Sequence, residues 1–180
     1  MSEYEEFEFP MYIQDQQAVF IGRVTDEESE MEGMPAYYIH WRGGLFVGTY
    51  NEKDERFSPR YSPNIEGGAM SEQVHEFKTS TPEVELSRVG RALHNAWSLH
   101  ESGMIGVKQA HVLALHRAGF SRSEIAQILN IEPSTVDSHR YDATGKADAA
   151  KTFVARVKEI EEKGDADITQ REDETAPNTH

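Results

Sequence analysis

The chain has 180 residues, carries 18 Lys+Arg against 32 Asp+Glu for a net charge of -14, and contains no cysteine. That length holds one medium domain or two small ones, and the absence of thiols excludes disulfides, thiolate metal sites and cysteine nucleophiles. No run approaches the roughly 20 apolar residues of a membrane-spanning helix, and the acidic start MSEYEEFEFP has no apolar signal core, so a soluble, cytoplasmic protein is expected.

Residues 1–80 read as a small β-rich domain. QQAVFIGRV is a strand by its β-branched content, and PAYYIHWRGGLFVGTY reads as a hairpin turning at Gly43-Gly44. Alternation puts Tyr37, Ile39 and Trp41 on one face of it and Tyr38 and His40 on the other. Aromatics in so small a domain are read as its core rather than as a ligand platform. DEESEMEGM and NEKDERFSPRYSPN read as exposed loops, and residues 65–81 as a linker with a short helix.

Pro82 then opens a helical pattern, PEVELSRVGRALHNAWSLHESG, with Leu86, Val89, Leu93, Ala96 or Trp97, and His100 recurring at helical spacing. The next apolar run, VKQAHVLALHRA, is closed by Gly119, which takes a left-handed helix end at no steric cost. Phe120 can then touch Leu115 behind it and staple to Ile125 ahead of it. Ser121 and Glu124 form a capping-box pair that opens the following helix. Ile125, Ala126 and Leu129 share one face of that helix. Asn130 tolerates a left-handed turn, Ile131 is an apolar plug, and Pro133 suits the first position of a new helix. Val136 points back to the preceding helix.

This arrangement, over about residues 106–145, resembles the helix-turn-helix of the LuxR-type output domain and of the sigma-factor region four domain. VLALHRAGFSRSEIAQIL and STVDSHR carry the likeness. Small Ala126, the turn at Asn130 and apolar Val136 match the family pattern. Asn130 stands where the family usually has glycine, and Glu132 where it usually has a Ser or Asp cap. The resemblance implies double-stranded DNA as partner. It also implies homodimerisation through the helix KADAAKTFVARVKEIEEKG that follows a stop at Gly145, with packing inside the chain as the alternative. The helix beginning at Pro133 would be the reader.

With Val136 facing inward, the 100° helical step places Ser134, Ser138 and Tyr141 on the opposite side, flanked by Thr135 and Asp137. Hydroxyls can donate to or accept from base edges, and Asp137 can accept from a cytosine amine. Arg122, His139, Arg140 and Lys146 are the expected phosphate contacts.

Charge is unevenly placed. Residues 1–103 hold 8 Lys+Arg against 19 Asp+Glu (net -11), residues 104–160 hold 8 against 6 (net +2), and residues 161–180 hold 2 against 7 (net -5). The segment that reads as a DNA binder is the one that is not acidic. The surplus of acids elsewhere suits a protein of a salt-accumulating halophile, where molar salt shortens the screening length to about 3 Å.

No enzyme site stands out. His111 and His116, five apart, fall on different helical faces rather than forming a metal pair, and Gly145-Lys146 lacks the glycine spacing of a phosphate loop. No metal, other cofactor or catalytic residue is therefore expected. The expectation is an α+β chain: an antiparallel β-containing domain (1–80), an all-α helix-turn-helix domain (82–164, motif about 107–145) and a disordered acidic tail (165–180). The function expected is a sequence-specific DNA-binding transcriptional regulator. The alternatives are a DNA-associated assembly or packaging factor and a helix-turn-helix protein-interaction adaptor.

Overall fold

The structure, a computed structural model, describes residues 11–41, 44–61, 69–81 and 83–174. An antiparallel meander is formed by β1 (Met11–Ile13), β2 (Gln16–Val24), β3 (Pro35–Trp41), β4 (Gly44–Asn51) and β5 (Arg56–Tyr61). The helix α1 (Met70–Ser80) follows, and then β6 (Val84–Leu86) returns to pair antiparallel with β2. The helices α2 (Arg88–Glu101), α3 (Val107–Arg117), α4 (Arg122–Leu129) and α5 (Pro133–Glu174) complete the chain. The class is α+β, an antiparallel sheet followed by helices, as the sequence predicts.

Alternation in the two central strands gives the sheet two apolar faces. Val19 and Ile21 of β2 join Ala36 and Tyr38 of β3 and Val47 of β4 in the core shared with the helices. Ala18, Tyr37 and Ile39 lie on the other face with Ile13, and Phe20, Tyr50 and Phe57 pack against them. Edge-to-face contacts hold that second cluster, with ring centroids 5.6 Å apart for Phe20–Tyr37 and 6.3 Å for Tyr37–Tyr50. Tyr37 and Tyr38 are core and fall on opposite faces as expected. The hairpin register pairs Trp41 with Gly44, and the expected turn at Gly43-Gly44 falls partly outside the described residues.

β1 and β6 share one edge of β2 end to end, β1 opposite Gln16–Ala18 and β6 opposite Gly22–Val24. Between them the β2–β3 register shifts across Phe20 and Gly22. A shift of this kind leaves local backbone groups outside the ladder, and Ser87 takes them up. Its amide donates to Ile21 O at 2.9 Å and its hydroxyl to Phe20 O at 3.0 Å. The same hydroxyl accepts from Gly90 N at 3.0 Å, capping α2. Gly90 brings the first turn of α2 so near β2 that a Cβ there would overlap the Ile21 carbonyl. The sheet irregularity is thus the seat of α2.

The helical half does not stand apart from the sheet. One continuous core runs from Val19 and Tyr38 through Phe77 of α1 and Leu93 of α2 to Leu115, Ile128 and Val136. The division expected at residues 80–82 is therefore not where the chain separates, and the boundary between compact units lies between Ala143 and Thr144. Val84–Leu86, expected within a helix opened by Pro82, is strand β6, because alternate Val84 and Leu86 bury against the sheet while Glu85 stays exposed; Pro82 itself lies outside the described residues. The α2 face that does form carries Val89, Leu93 and Ala96 inward, as predicted.

RFSPRY, expected in a loop, is β5, its register fixed by pairing with β4 from Asn51↔Arg56 onward. Gly145 does not stop the last helix. A mid-helix glycine costs only ~1 kcal/mol, and the strong helix formers around it (Ala143, Lys146, Ala147) carry α5 through. Residues 165–174, expected in a disordered tail, are its last turns.

α1 lacks a side-chain cap of its own, since its N-cap is Ala69. His111 of α3 supplies one from a distance: its Nε2 accepts from the Ser71 amide at 3.2 Å and lies 2.8 Å from the Ser71 hydroxyl. Burial, with the nearby charge of His100 second, lowers the His111 pKa to about 4. A folded-state pKa below the unfolded value of about 6.5 means that the unfolded chain takes up the proton first as pH falls. The contribution is complete above that value and is lost between about pH 6.5 and 4. Burial lowers His40 and His94 in the same direction, His94 also through His75, on which it stacks at 5.0 Å.

Two outcomes follow. His111 should cost the full chain on the order of 3 kcal/mol of stability between pH 6.5 and 4, so His111→Gln, which keeps an acceptor, should flatten a denaturation-versus-pH curve over that window by a similar amount. A fragment of residues 82–164, stripped of β2 and of the Ser87 acceptors, should show no cooperative thermal transition by circular dichroism, whereas the full chain should melt cooperatively.

Candidate nucleic-acid interface

The unit α3–α4–α5 is set by local hydrogen bonds that follow the sequence pattern. At the end of α3 Gly119 adopts φ +89°, its amide reaching His116 O at 3.0 Å and that of Phe120 reaching Leu115 O at 3.2 Å. This is a Schellman ending. Phe120, Leu115 and Ile125 are all buried in one cluster, so the phenylalanine fixes the α3–α4 corner. The Arg88 guanidinium of α2 lies 4.1 Å from the centre of its ring, a cation–π contact that covers the corner.

α4 opens with the predicted capping box. The Ser121 hydroxyl accepts from Glu124 N at 3.3 Å, and Glu124 Oε2 accepts from Ser121 N at 2.6 Å. These bonds to Ser121 hold the Glu124 carboxyl below the usual carboxylate range, and nearby Arg88 pulls the same way. α4 closes with Asn130 at φ 52°, ψ 51°, its amide reaching Gln127 O at 3.3 Å and the Ile131 amide reaching Ala126 O at 3.0 Å. Asparagine is among the few non-glycine residues that enter this region readily. The turn is as tight as a glycine would make it.

In the first turns of α5, Val136 and Ala143 are buried, seven residues apart on one face. Ser134, Ser138 and Tyr141 are exposed on the other, Tyr141 at 81%. Thr135, Asp137, His139 and Arg140 lie between, half-buried.

Three of the predicted contact residues, Arg122, Asp137 and Arg140, are engaged with one another. Arg122 Nε lies 2.8 Å from Asp137 Oδ2 and donates to Pro133 O at 3.1 Å, strapping the start of α4 to the start of α5. Arg140 approaches the other oxygen of Asp137 at 3.6 Å. Asp137 therefore holds two guanidiniums, which makes it a residue that positions them as well as a neighbour of the exposed face. Lys146 is exposed in the helical segment beyond Thr144, which is a separate unit. There Phe153 (69% exposed), Val154 and Ile160 present an uncovered apolar stripe.

Two residues with roles here carry no signal in the sequence. Tyr38, fully buried in β3, donates its hydroxyl to Ile128 O, one of the last-turn carbonyls of α4 that have no partner within the helix. Burial raises its pKa well above that of a free phenol, so it remains a donor. Gln17 of β2 adds a second tie, from its side-chain amide to Gln127 O at 3.2 Å. Both partners lie more than 100 or about 90 positions away along the chain, where no local pattern reaches.

Among the described residues no group of three or more His, Asp or Glu could hold a metal ion, and His111 is buried while His116 is exposed. No described helix is long and apolar enough to cross a membrane. Comparison with protein-family models, with curated proteins and with solved structures finds no match.

Tyr38→Phe removes one donor and leaves a buried carbonyl unpaired. It should lower the free energy of unfolding by about 1–3 kcal/mol in a denaturant titration, whereas Tyr141→Phe, at an exposed position, should change it little.

Proposed function

We propose that this chain is a sequence-specific double-stranded DNA-binding protein acting in transcriptional regulation, with no catalytic activity of its own. The observation that carries the reading is the α4–turn–α5 geometry: a left-handed Asn130, a buried Val136, and a face of Ser134, Ser138 and Tyr141 left open to solvent. Hydroxyl groups on an exposed helix face are suited to base edges in a major groove. Thr135 and Asp137 flank that face, and Arg122, His139 and Arg140 sit where phosphates would pass. Arg122 and Arg140 are held by Asp137, so the cations reach the backbone from fixed positions instead of sampling many rotamers.

The local charge supports the same reading. The segment 104–160 has a net of +2 in a chain of -14. In the salt-rich, intracellular setting that the acidic composition suits, the acidic remainder is screened and binding leans on shape and base contact. The uncovered stripe of Phe153, Val154 and Ile160 is suited to a second copy of the chain, which would make the regulator a homodimer.

Selection of bound sequences from random DNA, repeated across salt concentrations, tests the reading. A recurring enriched motif is expected, with two-fold symmetry if the dimer forms. Ser138→Ala and Thr135→Ala should each cost about 1–3 kcal/mol on that motif and little on random DNA. Arg140→Ala should weaken both and reduce the salt slope by about one unit. Binding without sequence preference would indicate a packaging factor instead, and no binding would leave a protein-interaction adaptor.

A further inference from the structure

A cavity of about 270 Å³ opens where the N-termini of α1 and α3 meet the turn between α4 and α5. Met70, Val107, Leu129 and Ile131 give it an apolar lining, and Lys108 and His111 are its polar members. Small-molecule sites combine a mainly apolar wall with a few convergent polar groups and run from about 300 Å³ upward, so a small ligand is the right scale.

The polar groups share one character. Lys108 is exposed and has no ion-pair or hydrogen-bond partner among the described residues. His111 lies three residues on, on the same face of α3. It is 94% buried by its 6% exposure. Its Nε2 accepts from the Ser71 backbone N–H, which can only donate, so that nitrogen is unprotonated and the ring proton sits on Nδ1. Nδ1 has no partner among the described residues. That donor is not fully enclosed, and it belongs to a side chain that lines the cavity.

The helix ends add to the same sign. α3 has no acidic residue in its first turn and no side-chain cap at Gly106, and α1 has none at Ala69. The start of α3 presents the partial positive charge of a helix start, with the Gly106 amide taken up by Gln109 Oε1 at 3.3 Å, while at the start of α1 the Ser71 amide is already taken up by His111. Two described carboxylates lie close by in sequence, Glu72 in the first turn of α1 and the exposed Glu132 next to Ile131.

We propose that this cavity is a binding site for a small carboxylate with an apolar body. Lys108 and the His111 Nδ1–H receive the carboxylate, and Met70, Val107, Leu129 and Ile131 pack on the body. Leu129 and Ile131 flank Asn130, so an occupant touches both sides of the turn that sets α5 against α4. On the reading of α5 as a DNA reader, such a ligand is the regulator's effector.

Titration of the full chain with hexanoate, followed by backbone amide chemical shifts in the absence of DNA, tests the site. Saturable shifts at residues lining the cavity are expected, with hexan-1-ol binding weaker by about tenfold or more, since it lacks the charge. Lys108→Met, at an exposed position, should keep the fold by thermal melting and abolish the preference for acid over alcohol. The proposal is overturned if hexanoate gives no saturable shifts at the cavity, if acid and alcohol bind alike, or if Lys108→Met leaves the preference intact. DNA plays no part in these readouts, so a negative DNA selection leaves their outcome standing. The effect of hexanoate on DNA affinity is the separate measurement that joins the two.

Discussion

One buried hydroxyl ties the two kinds of structure in this chain together. Tyr38 extends from the middle of β3 to the Ile128 carbonyl, so the end of α4 is completed by the sheet instead of by solvent. A last-turn carbonyl enclosed in a core must find a donor or destabilise the helix that carries it. The choice of tyrosine follows: its ring fills the volume between sheet and helices, and its polar end answers the Ile128 carbonyl. Around this contact the apolar core is continuous, and α4 depends on a residue that precedes it by 90 positions.

What could be read from the sequence was what is settled within a few residues. Gly119, Phe120, the Ser121–Glu124 box and Asn130 each form hydrogen bonds to near neighbours, and each appears in the structure as the pattern predicts. β2 and the β3–β4 hairpin were equally legible from alternation and β-branched content. What escaped was settled at a distance. Val84–Leu86 has too few residues to declare a strand, and only the free edge of β2 makes it one. RFSPRY looks like a loop until β4 is beside it. The cap that His111 places on α1 joins residues 40 apart. Gly145 misled for the opposite reason: a weak local preference was outweighed by the helix formers on either side.

The candidate interface shows the same division. Burial of Val136 and exposure of Ser134, Ser138 and Tyr141 follow from helical spacing alone. That Asp137 would sit between Arg122 and Arg140 does not, because it depends on how α4 and α5 cross. In an acidic protein this has a particular value. A carboxylate committed to two guanidiniums is largely neutralised and fixes where those cations point. Partly exposed pairs of this kind add little to stability. Their effect is on orientation.

The pairing of β6 with β2 also bears on the order in which the chain can assemble. Within the meander β1 to β5 pair in sequence order, so it can form as it emerges during synthesis, each new strand finding its partner already in place. β6 must instead close a loop of some 60 residues back to Gly22–Val24, a step whose entropic cost is met only once the edge of β2 exists. Ser87 and Gly90 then seat α2 on that edge, and α3 and α4 have a surface to dock on. The turn between α4 and α5 is thus among the last parts to mature, and a nascent chain does not hold it in its final arrangement until the sheet is complete.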